Sequence, residues 1–183
     1  MPESFYTRQG DDGSTGMLGS GRISKSDARI EALGAIDEAN AALGVARSLC
    51  RSPEAAACLV IIQRDLYGIM AEVASSPENV ERFRTIGAER VNWLEEQTDL
   101  LSQVVDLPRE FIVPGDSLAG AALDLARAVV RRAERRLVGL SETGLLSNQS
   151  LLVYLNRLSS FCFVLELREN QLAGSDQPTL AKG

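Results

Sequence analysis

The 183-residue chain contains no histidine. That absence excludes Ser-His-Asp and Cys-His catalysis, and every metal site that needs an imidazole. Aromatic residues are only 5% of the chain. Its core must therefore be aliphatic and alanine-rich, which suits packed helices better than a sandwich of β-branched strands. Cysteine is scarce as well. Cys50, Cys58 and Cys162 stand apart with no CxxC pair, as the reduced thiols of a cytoplasmic protein do. No apolar run reaches the roughly 20 residues of a membrane span. The start, MPESFYTRQGDDG, lacks the basic-then-apolar pattern of a signal peptide. A soluble, cytoplasmic protein with no membrane partner is expected. Positive charge is also in deficit, the formal net charge being −6, which disfavours general nucleic-acid binding. A local cluster of cations in such a chain calls for an anion of its own.

What is present reads as one all-α domain, a five-helix bundle behind a flexible glycine-rich N-terminal segment. Residues 1–26 carry Gly10, Gly13, Gly16, Gly19 and Gly21 among Arg8, Arg22 and Lys25, a composition expected to form a loop. The first helix is expected over 27–49, capped by Asp27. A second opens at Ser52 and Pro53, with Leu59, Ile62, Leu66, Ile69 and Val73 at bundle spacing. The third is expected over 85–105. Pro108 and Pro114 then bracket Phe111-Ile112-Val113 and break the helical rhythm. Further helices are expected over 117–140 and 149–172, the last stopped by Gly174, followed by a polar tail.

Three features could carry chemistry. The run from Tyr6 to Gly16 can turn successive N–H groups toward one anion, with Lys25 near the start of the first helix. It lacks the Lys-Ser/Thr of a Walker A loop and no strand precedes it. The same composition also describes a flexible tail. Second, Arg127, Arg131, Glu134 and Arg135 share one side of the fourth helix, with Arg132 and Arg136 beside them, while Leu125, Val129 and Leu140 point the other way. Such forks suit a polyphosphate, although charge runs are commonly solvated faces. Asp37 shares a stripe with Ile30, Leu33 and Gly44 and calls for a cation there. Third, Asn156 and Phe163 lie on one face of the fifth helix. Asn156 can read a purine or ribose edge, or simply join two helices.

These blocks together resemble the PduO-type ATP:cob(I)alamin adenosyltransferases. The resemblance rests on YTRQGDDGSTGMLGSGRISK running into RIEALGAIDEANAALG, on FIVPG, and on ARAVVRRAERRLVGL with YLNRLSSFCFVL, spanning Tyr6 to Leu165. It implies a homotrimer with active sites between subunits, and transfer of the 5′-deoxyadenosyl group of ATP to Co(I) of a corrinoid with release of triphosphate. It assigns ATP contacts to Thr7, Arg8, Gln9, Gly10, Thr15, Gly16, Lys25, Arg131, Arg132, Glu134, Arg135 and Asn156. Asp37 and Arg127 match an ion pair across the subunit interface. Phe111 matches an aromatic residue that helps displace the lower axial ligand of cobalt, and Phe163 matches one near the corrin. Mg²⁺ is expected with the nucleotide, with Asp11, Asp12 and Glu134 nearby and none assigned as its ligand. The resemblance also raises two protein partners whose identity the sequence does not carry: a cobalamin reductase and an adenosylcobalamin-dependent acceptor enzyme. The chain departs from the family pattern in reading DEAN rather than DELN, in Asp116 where PGG is common, and in Asp124 where a histidine is common.

Two other classes compete: a helical module that binds ATP without chemistry, and a structural bundle with a disordered tail. The first has no use for Phe111 on a proline-bracketed loop, and the second predicts no ATP-dependent ordering of residues 1–26.

Overall fold

The computed structural model describes residues 6–175 and 177–182. The first five residues of the expected N-terminal loop lie outside them. Five α-helices form the bundle: α1 (Ala28–Leu49), α2 (Pro53–Ala74), α3 (Ala88–Ser102), α4 (Leu118–Glu142) and α5 (Ser150–Leu172). α4 packs between α1 and α5, α2 lies on α1, and α3 lies on α5. The starts follow local chemistry. Asp27 accepts from Arg29 N at 2.8 Å, Ser52 from Ala55 N at 3.1 Å and Ser117 from Gly120 N at 2.9 Å, each satisfying a backbone donor that the first turn leaves unpaired.

The third helix is shorter than its rhythm suggests. It begins after Gly87 and ends at Ser102. Ile86 is buried outside it, and Val105 leaves it to join Val164 and Leu167 in a small satellite cluster. Both were counted as helical because burial alone mimics helical spacing. On α4 the buried stripe is Leu123, Ala126, Val130, Ala133, Leu137 and Leu140. Leu125, expected on the core side, is 60% exposed. Alanines at Ala126 and Ala133 let α4 lie close to its neighbours, which turns Leu125 outward. The approach is closest at Gly120, where a Cβ would stand 2.0 Å from Asn170 Oδ1.

The N-terminal segment is more than a loop. Ser14–Gly16 (β1) and Arg22–Ser24 (β2) pair antiparallel, with Thr15 opposite Ile23. Leu18 ties this hairpin to the end of α2, donating to Ala74 O at 2.9 Å and accepting from Ser76 N at 3.1 Å. Gly19 makes the fit possible, because a Cβ there would meet Ser76 and Asn79 at 2.3 Å.

α5 is long and apolar enough, by length and composition, to cross a membrane, which the unbroken-run criterion overlooked. Its apolar side chains, among them Leu151, Leu155, Leu158, Phe161 and Leu165, are buried in the bundle.

Candidate active site

At the hairpin, Lys25 Nζ donates to Gly10 O at 2.7 Å, and Arg22 donates to Ser14 Oγ at 2.7 Å and to Gln9 O at 2.5 Å. Lys25 N also donates to Gly13 O at 2.8 Å. The loop that holds Thr7, Arg8, Gln9 and Gly10 is thus folded onto the hairpin, whose strand β1 carries Thr15 and Gly16. Arg8 sits at φ 60 and lies over the Tyr6 ring at 5.2 Å; a left-handed arginine is a strained choice that the surrounding turn must hold. Asp12 accepts from Ser14 N and Oγ, and those bonds hold its carboxyl below the usual range.

The arginine face of α4 is exposed, and its partners are exposed carboxylates. Arg132 pairs with Glu38, and Arg136 pairs with Glu31 at 3.1 Å, so both reach across to α1. Arg135 donates to Arg131 O at 3.1 Å. The Arg131 guanidinium has no hydrogen-bond or ion-pair partner among the described residues. Asn156 Nδ2 donates to Glu134 Oε1 at 2.9 Å, which brings the polar residues expected on α4 and α5 onto one surface.

A second locus lies toward the start of α4. Phe111, Phe163 and Arg127 line one cavity of about 350 Å³ with Pro108, Arg109 and Ile112. Phe111 is 88% exposed. Its neighbour Ile112 tucks into the satellite cluster beside Phe163. An extended segment alternates its side chains, so an inward Ile112 requires an outward Phe111. Arg127 is bonded to Asp124 at 2.7 Å through both Nε and Nη2. Asp37 is exposed on α1; its apolar stripe is the outer one, not the core stripe of Ala32, Ala35, Ile36, Ala39 and Leu43. Within one chain it therefore has no need of Arg127.

A profile of the cobalamin adenosyltransferase family matches residues 5–169. The chain belongs to this family. It is 39% identical over 168 residues to the corrinoid adenosyltransferase PduO of Citrobacter freundii, covering 91% of this chain and 50% of that protein. The chain thus spans about half the length of that relative. A corrinoid adenosyltransferase of Bacillus subtilis is 35% identical over 174 residues, covering 93% of this chain and 88% of the relative. The fold superposes with a TM-score of 0.89 and 33% identity on a phenylalanine-to-histidine variant of the PduO-type ATP:corrinoid adenosyltransferase of Lactobacillus reuteri, complexed with cobalamin and ATP, over 98% of this chain and 97% of that one.

In this chain both acidic departures have partners. Asp124 holds Arg127, and Asp116 accepts from Thr179. Sequence reasoning missed three groups near the second locus. Arg109 lines the cavity. The C-terminal tail folds back onto the Phe111 segment, Ala181 N donating to Phe111 O at 2.8 Å. Glu166 is fully buried, with neither carboxylate oxygen hydrogen-bonded among the described residues. Burial first, then the nearby Asp124 charge, pushes it up to about 7, against the pull of Arg127. A glutamate inside the apolar run FCFVLEL was the available signal.

Proposed function

We propose that the chain transfers the 5′-deoxyadenosyl group of ATP to Co(I) of cobalamin or a related corrinoid, giving the adenosylated corrinoid and triphosphate. The observation that carries this reading, beside family membership, is the cavity that joins Phe111, Phe163 and Arg127. An apolar wall with one exposed aromatic suits the flat, weakly polar face of a corrin.

Co(I) is itself the nucleophile, so a chain without histidine loses nothing. The leaving group is a triphosphate whose charge grows as the C–O bond breaks. Lys25, Arg131, Arg135 and the N–H groups around Gly10, Thr15 and Gly16 are the groups to neutralise it. Asn156 and Glu134, already bonded to each other, offer a donor and an acceptor to the nucleoside. Arg132 reaches the phosphates only by releasing Glu38, an exchange between exposed partners. Phe111 presses on the lower face of the corrin, excluding water and the lower base. Co(I) has little affinity for axial ligands, so stripping them from Co(II) eases its reduction.

The homotrimer with sites between subunits belongs to the same proposal. From Leu118 to Arg136, α4 rises about 27 Å. The hairpin and the Phe111 segment of one subunit lie toward opposite ends of this helix. A neighbouring subunit that sets its cavity against the arginine face would bring Asp37 to Arg127 and complete the site from both chains. Mg²⁺ fits as a companion of the nucleotide: no three carboxylates or thiols among the described residues are grouped to hold a metal, so phosphate oxygens would be its chief ligands. A cytoplasmic location, a reductase and an acceptor enzyme remain part of this functional reading.

The test is direct. Purified chain is mixed with ATP, Mg²⁺ and chemically reduced cobalamin, and the visible spectrum and released triphosphate are followed. Adenosylcobalamin and triphosphate should appear in equal amounts; absence of both overturns the reading. Sedimentation should give three chains per particle.

A further inference from the structure

The C-terminal tail and the Phe111 segment form a small, closed arrangement. Val113 N donates to Thr179 O at 2.7 Å and Ala181 N donates to Phe111 O at 2.8 Å, so Ile112 and Leu180 face each other as an antiparallel bridge. Asp116 closes it with both carboxylate oxygens: Oδ2 accepts from Thr179 N at 2.9 Å and Oδ1 from Thr179 Oγ1 at 2.7 Å. Asp116 stands just ahead of Ser117, which caps α4, so the clasp fastens the tail to the start of the arginine helix.

Register is what this clasp controls. A bridge of two backbone bonds is marginal in water. In an extended pair, a slip of one residue turns every side chain to the other face. Here that slip would bury Phe111 and expose Ile112. The satellite cluster accepts either side chain by hydrophobicity, so burial alone discriminates weakly between them. A two-point bond from a residue anchored at α4 discriminates strongly.

We propose that Asp116 and Thr179 are positioning residues for adenosyl transfer: their clasp sets the register of the Phe111 segment against the tail and holds Phe111 outward toward the corrinoid. Neither residue touches a reacting atom. The inference rests on the reading that Phe111 meets the lower face of cobalt.

The test uses the full chain with ATP and Co(II)cobalamin, and reads axial ligation by electron paramagnetic resonance. Asp116→Ala and Thr179→Val should each lower the fraction of Co(II) without axial ligands by about fivefold, the effect of losing one or two surface hydrogen bonds. Turnover started from Co(II) should fall in parallel. Turnover from pre-reduced Co(I), and the KM for ATP, should stay within about twofold, because these do not require ligand removal. Thr179→Ser restores the hydroxyl and should restore the spectrum. A wild-type Co(II) spectrum in both variants overturns the proposal. So does a joint loss of ATP binding and thermal stability, which would make the clasp a fold contact only. Phe111→Ala is measured alongside. If it keeps Co(II) free of axial ligands, the role of Phe111 itself fails. If it loses that state while the clasp variants keep it, only the clasp fails.

Discussion

The two halves of α4 handle charge in opposite ways. From Arg131 to Arg136, cations meet solvent, and the side chains of the Arg132–Glu38 pair are 48% and 60% exposed. Around Arg127 the pair with Asp124 is only 32% and 17% exposed, and Glu166 behind it has no exposure at all. Exposed pairs contribute little to stability and can be exchanged for a ligand at small cost. Buried charge is expensive to place and hard to rearrange. The first half can thus exchange its partners readily, and the second holds its shape.

That contrast can be broken by measurement. Arg131→Ala removes a cation without a partner among the described residues and should lower kcat/KM for ATP by about 100-fold with little change in folding. Steady-state kinetics with Co(I) checks it, and an unchanged value would return this face to a solvated surface. Phe111→Ala should cut turnover from Co(II) by about 30-fold and spare the KM for ATP; equal losses in both would reduce Phe111 to packing.

Glu166→Gln sharpens the other side. The folded chain raises this carboxyl from its ordinary 4.5 to about 7, so it holds the proton more tightly than the unfolded chain. Its contribution to stability is complete below about 4.5 and is lost as pH rises through about 7. The variant should therefore gain roughly 3 kcal/mol on wild type at pH 8 and nothing at pH 4. Urea unfolding at the two pH values reads the difference, and a gain equal at both would show that the carboxyl does not titrate there. The smallest effect belongs to Glu31→Ala. Breaking its exposed pair with Arg136 should cost less than about 0.5 kcal/mol by the same measurement.

Much of the fold was legible because helical periodicity and caps are local. Asp27, Ser52 and Ser117 sit at helix starts, and the spacing of Leu59, Ile62, Leu66, Ile69 and Val73 matches the buried face of α2. The candidate residues were legible by type, and the structure sets Lys25 against Gly10, Glu134 against Asn156, and Phe111 in one cavity with Phe163 and Arg127. The hairpin was not, since β1 and β2 have three residues each and no alternation long enough to read. Leu125 misled because a hydrophobic count cannot tell a core face from an outward one.

The order of residues alone therefore determined the helices, the glycine-rich start, the arginine face and the family, all properties of neighbours along the chain. Only the tertiary structure decided who answers each charge. Arg132 found Glu38 across 94 positions, Asp116 found Thr179 across 63, and Glu166 found no hydrogen-bond partner among the described residues. Such pairings depend on which surfaces the packed core leaves facing each other, and on how far each is from water. Neither is a property of any stretch of sequence.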